Sequence, residues 1–304
     1  MAELFILKLL RNRNFILILS LLLGIIYPQF SPRTSQILVP ILVFVMTLSM
    51  TSINSSLFRN PVRWLKPILV SLTLNYLVLG SFTIILAFLL ELSEPSRIGY
   101  IVLAATPPAV AVVPFSSFLG GEHEYSLVGF TASYLAAFLF TPMILGFFFE
   151  AQPGFQDRIF ILLFELVVLP FLLSRLVIRS GLLDHVNPVK GTLVNWSFFL
   201  IIYSIVGLNH EVFRSEPLSL VPLAVVSFGI TFGLGSVIHW IGTRYSVDSK
   251  RLTSMILLGT SKNSGFAAGI ALVLFGAETT VPSTVTTVFM LIYTLFLDMT
   301  KKIE

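Results

Sequence analysis

The stretch LLGTSKNSGFAAG, residues 257–269, places a lysine in the middle of an apolar segment long enough to span a membrane. The small and polar run 259–265 divides that segment into two apolar halves. Unwound backbone at membrane depth is tolerated only where it is buried in protein or lines a cavity. A lysine at the centre of a spanning helix costs about 2.5–3.5 kcal/mol, so we expect Lys262 to face an interior partner.

The alternative is that Lys262 snorkels, with its stem along apolar surface and its ammonium at the membrane interface. Arg251 marks that interface, and Lys262 follows it by eleven residues. This separation corresponds to about 16 Å along a helix, which favours the interior position.

The composition places the whole chain in a membrane. Of the 304 residues, 56% are hydrophobic and 11% charged, and the mean hydropathy is +0.93. A soluble globular chain carries about 25% charged residues, a much larger fraction than this sequence has. The absence of cysteine excludes disulfides, thiolate metal sites and cysteine nucleophiles. Apolar runs of about 20 residues favour helices over a barrel, so the predicted class is an all-α integral membrane protein.

Ten apolar runs of spanning length follow one another along the chain. They lie near residues 15–31, 36–55, 66–90, 97–119, 125–149, 158–178, 192–209, 217–242, 252–275 and 281–299. The first run lacks a small-residue cleavage pattern and is interpreted as a retained span rather than a signal peptide.

Basic residues alternate between the two sides predicted by this count. Fourteen lie on one side, at Lys8, Arg11, Arg13, Arg59, Arg63, Lys66, Arg175, Arg179, Lys190, Arg244, Lys250, Arg251, Lys301 and Lys302, against four on the other, at Arg33, Arg97, Arg158 and Arg214. The positive-inside rule therefore predicts ten spans in the cell membrane, with both termini cytoplasmic. The net charge of +4 mostly reflects this bias, so we expect no nucleic-acid partner.

The two halves of the chain repeat one irregularity. TPPAVAVVP (106–114) interrupts the fourth run, and GTSKNSGFA (259–267) interrupts the ninth. Five spans per half is an odd number, so the repeats 1–152 and 153–304 have opposite orientations. Corresponding broken helices in two inverted halves indicate a transporter binding site. Pro107, Pro108 and Pro114 remove backbone donors in the fourth run, as expected for a broken rather than a continuous helix.

The ten spans, the two breaks and the run KNSGFAAGIAL resemble the bile acid:sodium symporter family. The resemblance covers the whole chain in layout, and its specific motifs lie in 75–131 and 255–270. It implies a panel subdomain of spans 1, 2, 6 and 7 beside a core of spans 3, 4, 5, 8, 9 and 10. It also implies that the broken spans 4 and 9 cross in the core, and that an amphipathic organic anion is carried by an elevator-like or rocking movement.

The sodium ligands implied by the resemblance are only partly present. The family signature E-x-G-x-Q-N-S-G corresponds here to LGTSKNSG, in which Asn263, Ser264 and Gly265 match. The signature glutamate falls on Leu258, and its glutamine falls on Lys262. A Ser-Asn pair in the first half falls on Val112 and Val113. A glutamine of the third span falls on Asn75, Ser126 matches a hydroxyl ligand, and Thr131 lies near another.

We therefore hypothesise that the Lys262 ammonium takes the place of a sodium ion between the crossed helices. A rim of Asn75, Ser126, Thr260, Ser261 and Asn263 is expected to hydrogen-bond it, and helix N-termini at the crossing would favour an anionic substrate. Transport would be uniport-like, or proton-coupled if Lys262 releases its proton during each cycle. The candidate set also includes the hydroxyls of Ser116 and Ser117, the backbone of Gly259 and Gly265, and Glu165 as a carboxylate facing the cavity or reaching water.

Two further interpretations stay open. The same fold retains sodium coupling if Asn75, Ser126, Thr131 and backbone carbonyls suffice as ligands. A membrane receptor that binds its ligand without cycling is the alternative from another class. We expect no enzyme, because paired acid–base groups and metal motifs are absent from the sequence, and we expect no cofactor besides sodium or a proton. The sequence names neither the substrate nor the oligomeric state.

Overall fold

The computed structural model describes residues 12–53, 61–149 and 154–301, and within these residues the protein is helical and has no strand. Its α-helices are α1 (Arg13–Ile26), α2 (Ser31–Ser35), α3 (Leu38–Met50), α4 (Pro61–Leu72), α5 (Ser81–Leu89), α6 (Glu94–Ala105), α7 (Val112–Phe118), α8 (His123–Phe149), α9 (Phe155–Leu163), α10 (Leu169–Arg179), α11 (Leu183–Leu208), α12 (His210–Ser215), α13 (Val221–Phe228), α14 (Leu234–Arg244), α15 (Ser249–Thr260), α16 (Ser264–Phe275) and α17 (Val281–Lys301). Three π-helical segments join α-helices into longer rods, at Thr73–Gly80, Phe164–Val168 and Gly229–Gly233. Short 3-10 turns occur at Pro28–Phe30, Pro217–Leu220 and Ala277–Thr280.

Six rods of the described residues are long and apolar enough to cross a membrane. A seventh is counted if Phe15–Ile26 and Pro28–Ser35, which are bent by 89°, form one span. The predicted second span contains only the 13-residue helix α3, and the predicted fourth and ninth spans are each two short helices. The protein is thus an all-α, multi-pass membrane protein, while the ten-span inverted repeat stays a prediction.

Part of the evidence for orientation falls outside the described residues. Lys8, Arg11, Arg59 and Lys302 lie there, as does the predicted boundary between the repeats at 152–153. The cytoplasmic placement of both termini and the division into repeats therefore remain predictions.

The fourth and ninth predicted spans are broken where the sequence indicates. Helix α6 ends at Ala105, and Thr106 is extended, with φ −86° and ψ 157°. A residue before proline disfavours the helical conformation, and Pro107 follows directly. Helix α15 ends at Thr260, and α16 begins after Asn263, whose side-chain oxygen accepts a hydrogen bond from the N–H of Phe266. An N-cap of this type restarts a helix after an interruption.

Helix α11 packs mainly against α1, α2 and α3, and α10 packs against α3. The remaining major contacts pair α4 with α8, α13 with α17, α14 with α15, and α6 with α16. Helix α16 also contacts α11 and α17, and α6 contacts α17. The predicted panel and core subdomains stay a prediction.

Large apolar side chains cover the outside of the rods. Phe147 is 81% exposed, and Leu89 and Leu139 are similarly open. Such a surface suits a hydrocarbon solvent, in which apolar side chains can face outward without cost.

Candidate functional site

The two helix breaks meet each other as a short antiparallel bridge. Pro108 and Lys262 are paired across it. The N–H of Ala109 donates to the carbonyl of Ser261, and the N–H of Asn263 donates to the carbonyl of Pro107, each at 2.9 Å. Backbone groups released by the breaks thereby satisfy one another inside the protein, as unwound backbone in a membrane requires.

The side chain of Lys262 is fully buried beside this bridge. Its ammonium donates to Asn75 Oδ1 at 3.0 Å, to the carbonyl of Ala104 at 2.7 Å and to the carbonyl of Thr106 at 2.8 Å. The ring of Tyr76 lies 4.9 Å from the same nitrogen, within cation–π distance. Three acceptors match the three donors of an ammonium group, and no carboxylate of the described residues pairs with it.

The break in α6 explains why these oxygens are available. Carbonyls in the last turn of a helix have no intrahelical partner and carry the negative end of the helix dipole. Ala104 and Thr106 lie at that end, because Pro107 and Pro108 prevent the helix from continuing. Lys262 therefore supplies hydrogen bonds and positive charge to the end of the interrupted helix.

The third oxygen comes from a π-helical segment. Asn75 and Tyr76 both lie in Thr73–Gly80, and both are buried. A π-helical turn contains an additional residue, which changes the faces presented by the residues around it, and such turns are frequent at functional sites. The Tyr76 hydroxyl donates to the carbonyl of Ser133 at 2.8 Å, which holds the ring beside the ammonium. The Nδ2 atom of Asn75 is buried and has no hydrogen-bond partner among the described residues.

Among the residues of the predicted polar rim, only Asn75 has a side chain that is hydrogen-bonded to the Lys262 ammonium. Ser126 instead donates to Ser116 Oγ at 2.7 Å, and Ser116 Oγ lies 2.9 Å from Ser254 Oγ. All three hydroxyls are buried between α7, α8 and α15. The expectation that Ser126 bonds the ammonium is wrong, because this cluster satisfies its hydroxyl elsewhere.

The predicted threonines form hydrogen bonds within their own helices. The hydroxyls of Thr131 and Thr260 each donate to the carbonyl four residues earlier at 2.7 Å. Neither hydroxyl reaches Lys262, which corrects the expectation for Thr260. Ser261 contributes its carbonyl to the bridge between the breaks rather than a side-chain contact to the ammonium.

Asn263 and Ser264 lie at the start of α16. Asn263 Oδ1 caps this helix, while its Nδ2 atom lies 3.8 Å from the sulfur of Met46. Ser264 Oγ lies 3.8 Å from the sulfur of Met290. The role of Asn263 is therefore to start the second half-helix, and the expected bond from it to the ammonium is absent.

Apolar side chains occupy three of the positions where the resemblance implies sodium ligands. Leu258, Val112 and Val113 are all buried. Leu258 and Val112 pack in one cluster with Leu257 and Tyr125. These positions offer no side-chain oxygen to a cation.

A cavity of about 60 Å³ lies between the two breaks and helices α1, α11 and α17. Its lining includes Val110, Lys262, Ser264 and Gly265. Ser283 of α17 also lines it, is 1% exposed, and has no hydrogen-bond partner for its hydroxyl among the described residues. A buried hydroxyl without a partner is unusual and calls for a specific explanation, such as a bound ligand or water.

A larger cavity of about 900 Å³ adjoins the small one, since Val110, Ala111 and Phe198 line both. One wall is rich in phenylalanine, with Phe115, Phe118 and Phe130. The lining also contains polar side chains. They are Asn12, Ser49, Ser52, His123, Asn187, Lys190, Asn195, Thr294 and Asp298.

One face of α11 lines this cavity and was missed by the sequence analysis. It comprises Asn187, Lys190, Gly191, Val194, Asn195 and Phe198. Residues spaced by three and four lie on one helix face. That spacing of polar side chains is visible in 187–198, but the sequence does not show which face turns toward a cavity.

Three predicted positions lie away from the Lys262 ammonium. Glu165 is half-buried in the π-helical segment Phe164–Val168 and lines neither of these two cavities, so a cavity-facing carboxylate at this position stays a prediction. Ser117 Oγ lies 2.7 Å from Nδ1 of His123, a residue that lines the larger cavity. Pro114 lies inside α7, in its first turn, where proline is tolerated, rather than in the break itself.

Two broken helices that meet beside a cavity are typical of secondary transporters. The family model that matches the chain is that of the Sodium Bile acid symporter family, over residues 39–216. This match covers more than half of the 304 residues, and the protein belongs to that family. The matched region contains Asn75, the first break and Lys190, and it ends before the second break. No curated protein matches the chain significantly.

Proposed function

We propose that this protein moves a small organic anion across the membrane by alternating access, with the Lys262 ammonium in the place of a sodium ion. The observation that carries the proposal is the ammonium itself, held by three oxygens at 2.7–3.0 Å beside the crossed helix breaks. All three oxygens are neutral, as suits a site that holds a monovalent cation.

A sodium ion in the same place would meet two obstacles. Hard cations bind oxygen ligands, and Leu258, Val112 and Val113 supply none where the family resemblance implies them. A second unit charge about 4 Å from the ammonium would cost about 4 kcal/mol at an effective dielectric constant of 20. The fixed charge therefore replaces the ion and does not assist it.

The cavities support an amphipathic anion as the substrate. Ligand pockets typically enclose about 300–1,000 Å³ and combine apolar walls with a few polar groups. The larger cavity has about 900 Å³ and a wall of phenylalanines. The 12-residue helix α16 begins at the small cavity with its positive dipole end, where an anionic group is stabilised. The unpartnered hydroxyl of Ser283 adds a donor for the same group.

Coupling without sodium takes one of two forms in this proposal. Lys262 either keeps its charge throughout, which makes transport uniport-like, or releases its proton once per cycle, which couples transport to protons. Sodium-coupled symport is the second candidate function, favoured by the family match. In that case the sodium ion binds away from the three oxygens that hold the Lys262 ammonium.

Thermal stability in sodium chloride and in potassium chloride separates these candidates. We expect the wild-type protein to respond equally to the two salts, and Lys262→Gln to gain a stabilisation by sodium. Lys250→Gln is the matched control, because Lys250 is exposed and lies outside both cavity linings. Specific stabilisation of the wild type by sodium would contradict the replacement of the ion by Lys262.

Exchange in proteoliposomes tests whether the protein cycles. Vesicles loaded with unlabelled cholate, an amphipathic carboxylate, should accumulate labelled cholate by counterflow. Binding without counterflow would identify a receptor, and a pH gradient that drives uptake would identify proton coupling. Uptake that depends on a sodium gradient would establish the second candidate.

A further inference from the structure

Lys190 lies on the cavity-facing side of α11, at the end of the molecule that the basic residues predict to be cytoplasmic. It lines the larger cavity with Asn187 and Asn195, which are three residues before it and five after it. Val194 and Phe198 follow along the same face, and Phe198 also lines the small cavity beside the helix breaks.

Two hydroxyls hold the Lys190 ammonium in place. Nζ donates to Thr51 Oγ1 at 2.8 Å and to Ser52 Oγ at 2.9 Å. The Thr51 hydroxyl already donates its own hydrogen to the carbonyl of Leu48, so it accepts from Lys190. These partners fix the position of the ammonium without neutralising its charge.

No described carboxylate pairs with Lys190. Asp298 of α17 lines the same cavity, but no ion pair joins the two side chains. Among the described lining residues, Lys190 is the only lysine or arginine of the large cavity. No ion pair with a described residue neutralises Lys190, and a charge at the edge of a cavity with low-dielectric walls concentrates ions of opposite sign.

The residue next to Lys190 leaves space for a ligand. A Cβ atom added at Gly191 would meet no atom within 4 Å. The phenylalanine wall, with Phe115 and Phe118, lines the same cavity. An amphipathic solute thus has an ammonium for its head group and aromatic rings for its apolar body.

We propose that Lys190 is an anion-docking site, at which the carboxylate or sulfonate of an amphipathic solute binds before it reaches the helix breaks. Open space beside Gly191 leaves room for such a solute. The inference deepens the proposed transport function, on which its role in transport rests. The anion site itself can be tested without any transport.

The absence of cysteine from the chain allows a direct measurement of the local potential. Gly191→Cys is treated with an anionic sulfonatoethyl and a cationic trimethylammonioethyl methanethiosulfonate of similar size. A unit charge about 6 Å away changes the local concentration of a monovalent reagent about threefold in water. Adding Lys190→Gln should therefore lower the ratio of the anionic rate to the cationic rate by about tenfold. A change in thiol reactivity affects both rates, so it cancels in the ratio.

Lys250→Gln in the same Gly191→Cys background is the matched control and should leave the ratio unchanged. If the ratio of the anionic rate to the cationic rate is the same with Lys190 and with Lys190→Gln, the proposal is overturned. Failure of both reagents to react would overturn it too, because it would show that the passage is closed. Both variants are checked for folding by size-exclusion elution and thermal unfolding before labelling.

Protection experiments identify the ligand and separate this inference from the proposed function. Cholate should slow labelling of the thiol in Gly191→Cys, while its uncharged methyl ester should protect less, and Lys190→Gln should abolish the difference. Protection by phosphatidylglycerol instead would assign the same anion site to a lipid head group. A Lys190-dependent ratio without cholate counterflow upholds the anion site and contradicts the transport proposal. Cholate counterflow together with a ratio of labelling rates that does not depend on Lys190 upholds the transport proposal and contradicts the anion site.

Discussion

At the scale of single residues, Lys262 is a buried cation held entirely by neutral groups among the described residues. Burial of a charge is costly unless hydrogen bonds compensate it. Asn75 and the carbonyls of Ala104 and Thr106 provide that compensation. The three oxygens depend on the ammonium in turn, because no other side chain of the described residues donates a hydrogen bond to them.

Lys262→Met should lower the free energy of unfolding by about 2–4 kcal/mol, because it leaves buried acceptors without a donor. Asn75→Leu removes one of those acceptors, so the double variant should be less destabilised than the sum of the single variants. Chemical unfolding in mixed micelles measures all three. Additive effects would contradict the direct bond between Lys262 and Asn75, since independent sites add within about 0.3–0.5 kcal/mol.

At the scale of helices, the glycines of α11 have two different structural roles. Gly207 allows close packing, since an added Cβ atom would lie 2.5 Å from the Cβ of Ser31. Gly191 faces open space in the large cavity. One helix therefore packs tightly at one end and lines a passage at the other.

Gly191→Ala should stabilise the protein by about 0.5–1 kcal/mol, because glycine in a helix interior is disfavoured relative to alanine. Gly207→Ala on the same helix should destabilise it by about 1–3 kcal/mol through overpacking. Thermal unfolding of the two variants shows whether Gly191→Ala raises the stability and whether Gly207→Ala lowers it. A destabilising Gly191→Ala would show that the space beside this residue is filled.

At the scale of the whole molecule, the orientation in the membrane follows from a count of basic residues. Ser93 is exposed in a loop predicted to be extracellular, and Ser219 is exposed at the extracellular start of the predicted span 217–242. Ser180 and Ser249 are exposed and lie in loops predicted to be cytoplasmic. The broken pairs α6–α7 and α15–α16 each have to cross the membrane for this assignment to hold.

Single cysteines at these four positions should report the orientation. A membrane-impermeant maleimide should label Ser93→Cys and Ser219→Cys in intact cells, and Ser180→Cys and Ser249→Cys only after lysis. The cysteine-free parent provides the blank. Labelling of Ser249→Cys in intact cells would exclude the ten-span arrangement with cytoplasmic termini.

The sequence alone determined the membrane class, the positions of both breaks and the burial of Lys262. These features depend on local chemistry, because proline and a polar run end a helix wherever they occur and a deep lysine requires interior partners.

Only the tertiary structure decided which groups meet. Asn75 reaches Lys262 while Ser126 joins Ser116, Glu165 lies away from both cavities, and α11 turns Lys190 toward the larger one. The rotation of each helix about its axis depends on packing against several neighbours and on π-helical turns such as Thr73–Gly80. A sequence pattern identifies the faces of a helix, but contacts between distant segments determine which neighbour each face meets.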